Sequence, residues 1–182
     1  MKQKSRYRGL IISCAFVLIS SFAFAQTPRQ STNPKALKKY NEALVALEDN
    51  RSTEGIELLA NVLQIDSNFI DAYLSLAGAY GNSKQYKKAI IVYERARLKD
   101  SIYFTPYLLP YAINLAGLGQ FEKALAAVRE FLTLDGLSGR SLKAAQYRKK
   151  TYEFALSTAQ INKNASYVFA PKNLGDSVNS IH

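Results

Sequence analysis

The chain is poor in the residues on which much enzyme chemistry depends. It has one cysteine, one histidine and no tryptophan in 182 residues, and the histidine, His182, is the last residue. Sites built on Cys and His, on Ser, His and Asp, or on zinc held by histidines therefore lack their parts. Asp66 and Asp71 flank a predicted helix start, where carboxylates commonly serve as caps. We expect no enzyme activity, no cofactor and no small-molecule substrate.

Apolar runs are short as well. The run from Leu10 to Ile19 is interrupted by serine and is too short for a convincing membrane span. It follows four basic residues and precedes Ala23-Phe24-Ala25, so residues 1–25 have the organisation of a signal peptide. The sequence Ile11-Ile12-Ser13-Cys14 loosely resembles a lipobox, but the apolar run continues past it. We expect export to the periplasm, with association with the outer membrane as a further option. Cleavage after Ala25 is favoured over lipidation at Cys14.

Acidic residues are the minority. The whole chain carries a net charge of +10, but four of its 24 basic residues and none of its 14 acidic residues lie within residues 1–25. The remaining chain therefore has 20 basic residues and a net charge of +6. These basic residues are spread over predicted helix surfaces instead of forming one dense stripe, as a nucleic-acid site would require. We expect no nucleic-acid partner.

Residues 70–103 have the pattern of a helical hairpin. One helical face is formed by Tyr73, Leu76, Ala77 and Tyr80, which are spaced i, i+3, i+4 and i+7. A second face follows at Ala89, Tyr93 and Ala96. Between them, residues 81–85 are turn formers without an apolar side chain. Small residues facing large ones allow two helices to pack closely.

The same pattern recurs before and after this hairpin. A weaker copy covers residues 36–69, after a flexible leader at 26–34 in which Asn33 and Pro34 provide a helix start. A third copy covers residues 105–137, displaced by one extra residue, with Leu108, Ala112, Ala124 and Val128 at its core positions. Pro110 lacks the N–H that a helix interior needs, which predicts a kink or a late helix start there.

A basic helix is predicted after the third copy, at residues 141–159, and an extended tail at 161–182. The helix can cover the exposed apolar end of the stack. A second interpretation of its charge is that it docks on anionic lipid or on a partner protein.

This arrangement resembles the tetratricopeptide repeat (TPR) family, which has a 34-residue period and alternating bulky and small signature positions. Tyr73, Leu76, Ala77, Tyr80, Ala89, Tyr93 and Ala96 occupy these positions in order. The departures are Tyr73 for the usual Trp, Ala77 for Gly and Ser101 for the closing Pro. The resemblance implies an all-α fold: a right-handed α-solenoid of three hairpins with a C-terminal capping helix and an extended tail.

The resemblance also implies that partners bind in the concave groove lined by the first helix of each hairpin. Transferred by position, the partner-binding groove contains Tyr40, Leu44, Leu47, Leu74, Gly78, Asn82, Leu109 and Ile113. This set is apolar and small, and it lacks the Lys and Asn residues that hold a terminal carboxylate in chaperone-binding TPR domains. It suits an amphipathic helix or an extended apolar peptide. Packing of the same residues against the leader or the tail is the alternative.

A second resemblance concerns the tail. Residues 171–180, with the sequence PKNLGDSVNS, resemble the segment that joins a TPR region to a PD40 propeller in exported, OmpA-family proteins of Bacteroidota-type bacteria. One subgroup of these proteins is the peptidoglycan-anchoring component of the type IX secretion apparatus. The implied function is a non-catalytic periplasmic scaffold in an outer-membrane-associated or secretion-related assembly. The alternative is a structural spacer, or a fragment of such a protein, with no binding role of its own.

Overall fold

The structure is a computed structural model, and it describes residues 31–163. Within this range the chain forms helices and short turns and no strand, which confirms the predicted all-α class. The predictions for the signal peptide and Cys14, for most of the leader, and for the tail from residue 164 on, including residues 171–180, lie outside the described residues. Residues 161 and 162, predicted as the start of the extended tail, instead belong to the last helix. The helices are α1 (Pro34–Glu48), α2 (Ser52–Ile65), α3 (Ile70–Asn82), α4 (Tyr86–Lys99), α5 (Ser101–Phe104), α6 (Leu108–Gly117), α7 (Phe121–Phe131) and α8 (Gly139–Asn162).

Three antiparallel hairpins make up the stack. Helices α1 and α2, α3 and α4, and α6 and α7 pair within hairpins, and α2 contacts α3, α4 contacts α6, and α7 contacts α8. Ten of the eleven predicted signature residues are buried, and the eleventh, Tyr80, is half-buried against the core. The core is therefore a continuous seam along the stack.

The three hairpin turns share one backbone conformation. Asn50, Lys84 and Gly119 have positive φ angles of 61°, 56° and 72°. The next residue in each turn donates its N–H to a carbonyl five positions earlier, as from Gln85 to Tyr80 at 2.9 Å. This is the Schellman ending of a helix, in which a left-handed residue reverses the chain. The positions are spaced by 34 and then 35 residues, so the third repeat does contain one extra residue.

The third hairpin starts late. A short helix, α5, begins after Asp100, whose Oδ1 accepts a hydrogen bond from the Tyr103 N–H at 2.8 Å. A 3₁₀ turn at Thr105–Tyr107 follows, and α6 begins only at Leu108. Pro110 therefore lies in the first turn of α6. The N–H groups of a first turn have no partner within the helix, so proline, which lacks an N–H, removes no helical hydrogen bond there. The prediction of a late helix start is confirmed.

Helix α8 covers α7 at the end of the stack. It extends over residues 139–162, longer at both ends than the predicted 141–159. Its N-cap is Ser138, whose hydroxyl accepts a hydrogen bond from the Ser141 N–H at 3.1 Å. Tyr152 is buried, with its ring 6.0 Å from that of Phe121. Among the described residues, no helix is both long and apolar enough to cross a membrane.

Candidate functional site

A cavity of about 440 Å³ lies between the first and second hairpins, near their turns. It is lined by Leu44, Leu47, Asn50, Ser52, Ser75, Gly78, Ala79 and Asn82. Four of these, Leu44, Leu47, Gly78 and Asn82, belong to the predicted groove set. Two facing helices, α1 and α3, supply most of the lining, so a ligand here would be held from two sides. We call this site the α1–α3 cavity.

Glycines shape the cavity wall. Gly78 lies in the middle of α3, and a Cβ built on it would have the Tyr93 hydroxyl, at 4.0 Å, as its nearest neighbour. The wall therefore has room for a Cβ at this position. On the α1 side, the Leu47 side chain occupies the space beside Gly55, since a Cβ on Gly55 would lie 2.5 Å from Leu47 Cδ2. Gly55 thus lets Leu47 pack closely against α2.

Tyrosine and serine hydroxyls form a polar region along the same pair of helices. The Tyr40 hydroxyl lies 2.9 Å from the Ser75 hydroxyl, which ties α1 to α3. One turn earlier on α3, Asp71 accepts a 2.6 Å hydrogen bond from the Tyr103 hydroxyl. Burial raises the pKa of Tyr40, and so, to a smaller extent, does the negative charge of Asp71. The phenol of Tyr40 is therefore neutral at physiological pH, and its hydrogen bond is with Ser75.

Tyr107 belongs to the same region. Its ring is 6.4 Å from that of Tyr103, measured between centroids. Burial raises the pKa of Tyr107, and the carboxylate of Asp71 adds to this shift. The carboxylate of Asp71 thus acts as a negative charge on both Tyr40 and Tyr107.

The other four predicted groove residues do not line this cavity. Leu74 is only 4% exposed and belongs to the hydrophobic core, so the prediction that it offers a surface to a partner is wrong. The physical reason is the central place of α3, which packs against both α2 and α4 and so buries more than one face. Tyr40 packs on Phe69 with ring centroids 4.6 Å apart, while Leu109 packs partly buried against the core and Ile113 is half-buried.

Four lining residues were missed by the sequence pattern: Asn50, Ser52, Ser75 and Ala79. Asn50 and Ser52 lie at the first hairpin turn, outside the first helices from which the groove positions were transferred. Ser75 and Ala79 are each one residue along α3 from a predicted position, Leu74 and Gly78. The true groove face of α3 is therefore rotated slightly from the predicted one, and the spacing of Ser75, Gly78, Ala79 and Asn82 was the available signal.

The lining of the cavity combines apolar and polar groups. Its lining contains leucine, alanine, glycine and short polar side chains, with no lysine or arginine. Among residues 31–163, no three His, Cys, Asp or Glu side chains come together in a way that could hold a metal ion. What the lining offers a ligand is an apolar surface with a few hydrogen-bonding groups, a combination typical of peptide recognition.

Solved structures with the same arrangement are TPR domains. The Sgt2 TPR domain from Aspergillus fumigatus superimposes with a TM-score of 0.62 at 18% identity, over 83% of this chain and 97% of that one. The chain has a TPR fold. The first TPR of Spaghetti (RPAP3), bound to the HSP90 peptide SRMEEVD, gives a TM-score of 0.61 at 18% identity, over 68% of this chain and 94% of that one.

A bacterial structure shows the same similarity. The Yersinia enterocolitica type III secretion chaperone SycD, in complex with a peptide of the translocator YopD, gives a TM-score of 0.55 at 14% identity, over 73% of this chain and 98% of that one. Comparisons with models of known protein families and with curated protein sequences give no match. The structural likeness thus establishes the TPR fold, and two of these solved structures hold a peptide.

Proposed function

We propose that this protein is a non-catalytic interaction scaffold whose α1–α3 cavity binds an apolar peptide segment of a partner protein. The observation that supports this most directly is the cavity itself, in which Leu44 and Leu47 face Gly78 and Asn82 across two helices. Two proteins of the same fold, the Spaghetti TPR and SycD, were solved with a peptide bound. An apolar side chain entering such a space gains about 1.5–3 kcal/mol from burial.

The charge around the cavity favours some peptides over others. The HSP90 peptide bound by the Spaghetti TPR contains three acidic residues. In this chain no basic side chain lines the cavity, and Asp71 lies one turn of α3 from Ser75. An acidic peptide would therefore meet repulsion without compensating cations. The preferred ligand is an amphipathic helix or extended segment that presents apolar side chains and lacks acidic ones.

The scaffold is proposed to act in the periplasm, as part of an outer-membrane-associated or secretion-related assembly. This part rests on the signal-peptide organisation of residues 1–25 and on the resemblance of residues 171–180. Fractionation of the source cells with an antibody against the chain tests it. Recovery in the periplasmic or outer-membrane fraction is expected, and recovery with the cytoplasm would refute the location without touching the cavity proposal.

Gly78 is the best position at which to test the cavity. Gly78 lines the cavity, and a Cβ added there meets no neighbour closer than 4.0 Å, so leucine adds bulk at a lining position. By contrast, Leu74→Glu would place a carboxylate in the core and would test folding instead of binding. Gly78→Ala is the matched control, because a single methyl group leaves the cavity open.

The experiment selects peptides from a random display library on the full chain and measures their affinity by calorimetry. We expect Gly78→Leu to weaken binding at least tenfold and Gly78→Ala to change it little, while both variants keep the helical circular dichroism of the parent. Selected peptides that bind all three proteins equally would refute the cavity as the site. A selection that yields no binder would support the alternative function, a structural spacer.

A further inference from the structure

Helix α8 has apolar side chains on both of its faces. The inner face packs on α7 through Ala145 and Tyr152, which are buried. On the outer face, Tyr147 is 69% exposed and Phe154 is 71% exposed. These two rings are seven residues apart, which places them on the same side of the helix and about 10 Å apart along its axis. Two exposed aromatic rings aligned in this way are not explained by the packing of the stack.

Cations occupy the same outer face. Arg140, Lys143 and Lys150 are exposed and alternate with the rings at three- and four-residue steps, the spacing of neighbours on one helix face. We call Arg140, Lys143, Tyr147, Lys150 and Phe154 the outer stripe.

The acidic residue of α8 lies away from this stripe. Glu153 accepts a hydrogen bond from Arg129 of α7 at 3.1 Å and lies 4.0 Å from the Lys149 ammonium. Its charge is therefore directed toward α7. The outer stripe is left with cations and rings and no carboxylate of its own helix.

Stacking of a further helical repeat does not suit this surface. The contacts between hairpins in this protein bury residues such as Phe69, Leu108 and Phe131. A repeat stacked on the outer stripe would instead bury Lys143 and Lys150, and a buried cation without a partner is costly. The occupant must therefore offer negative charge to the cations and an apolar layer to the rings at the same time.

We propose that the outer stripe docks α8 on an anionic phospholipid surface. Lipid phosphates would pair with Arg140, Lys143 and Lys150, and the Tyr147 and Phe154 rings would enter the interface at headgroup level. A single exposed helix face can lie flat on such a surface, whereas the α1–α3 cavity encloses its ligand from two sides. The two surfaces are separate, so docking by α8 is independent of the peptide-binding function.

The absence of tryptophan from the chain allows a site-specific test. Phe154→Trp in the full-length protein places the only indole on the outer stripe. With vesicles of phosphatidylglycerol and phosphatidylcholine, we expect the indole fluorescence to shift to the blue and to be quenched by brominated lipids. With vesicles of phosphatidylcholine alone, we expect neither change. Leu98→Trp is the matched control, because Leu98 is 88% exposed on α4 and has basic neighbours too. Its emission should not change.

Charge variants in the Phe154→Trp background test the role of the cations. Each lysine near an anionic surface strengthens binding about fivefold, so Lys143→Gln with Lys150→Gln should weaken vesicle binding about 25-fold. The matched control is Lys35→Gln with Lys38→Gln, which changes two exposed lysines of α1. The vesicle affinity of this variant should stay within about twofold of the Phe154→Trp parent, because salt screens charges that are distant from the surface. The basic residues within residues 1–25 are present in every variant and cannot produce this difference.

Three outcomes would overturn the proposal. An unshifted Phe154→Trp spectrum in anionic vesicles would show that the outer stripe does not bind lipid and would favour an acidic protein partner instead. An equal shift at Leu98→Trp would indicate unspecific attachment of a basic chain. Equal losses for the α8 and α1 lysine pairs would show that only net charge matters.

Discussion

Lys84 occupies a backbone position that favours glycine. Its φ angle is 56°, in the left-handed region, and the equivalent residues of the other two hairpin turns are Asn50 and Gly119. A side chain with a Cβ pays about 1–2 kcal/mol for this conformation. Glycine avoids that cost but loses about 0.5–1 kcal/mol more backbone entropy on folding. Because the Lys84 side chain is exposed, Lys84→Gly should raise the free energy of unfolding by about 0.5–1 kcal/mol.

The measurement is urea denaturation followed by circular dichroism at 222 nm, supported by a thermal melt. For a domain of this size the predicted gain corresponds to a rise in Tm of about 2–4 °C. Lys150→Gly, an exposed lysine within α8, is the control and should lower the free energy of unfolding by about 0.5–1 kcal/mol, because glycine is a poor helix former. If Lys84→Gly is no more stable than the parent, the left-handed turn is not a source of strain and the reasoning fails.

Three further predictions concern the helix contacts. Gly117→Ala should cost about 1–3 kcal/mol, since its Cβ would lie 2.8 Å from the Tyr86 ring; unchanged denaturant midpoints would refute this close contact. Tyr93→Asp should cost about 4 kcal/mol and melt the central hairpin, because Tyr93 is buried between the rings of Phe104 and Tyr111; a parental Tm would show that the α4 register is wrong. Burial also raises the pKa of Tyr93 to about 12. The unfolded chain therefore ionises first, and the contribution of Tyr93 to stability, constant below pH 10, should fall by up to about 1.4 kcal/mol per pH unit from there to pH 12. In denaturant titrations over this range, the stability of Tyr93→Phe should fall less steeply than that of the parent.

Local pattern was sufficient to predict the hairpins. The spacing of Tyr73, Leu76, Ala77 and Tyr80 marks a helix face, and turn residues separate it from the next helix, so each element could be located from neighbours in sequence. Helix α8 starts at Gly139, two residues before the predicted start at 141, because Ser138 caps the helix at that point. The insertion of α5 was not foreseen, because it depends on the capping of one N–H by Asp100.

The binding site was predicted less well, because a groove depends on how helices face each other. Leu44, Leu47, Gly78 and Asn82 do meet in one cavity. Leu74, one turn before Gly78, is buried. Its burial could not be predicted, because the hydrophobic pattern of α3 alone does not tell how many helices pack against it. The number of neighbouring helices becomes known only when the three hairpins are placed in the stack.

The helices that share broad contacts are neighbours in the chain: consecutive helices, or α4 and α6 with only α5 and a short turn between them. Loops closed during folding are therefore short, and topologies of this kind fold quickly. The same arrangement lets the domain open from its ends. Within residues 31–163, the hairpin that contains α1 packs against one other hairpin, whereas α3 and α4 have a hairpin on each side. Amide hydrogen exchange should accordingly be slowest in α3 and α4 and faster in α1, so that the wall of the cavity formed by α3 persists while the wall formed by α1 opens and closes.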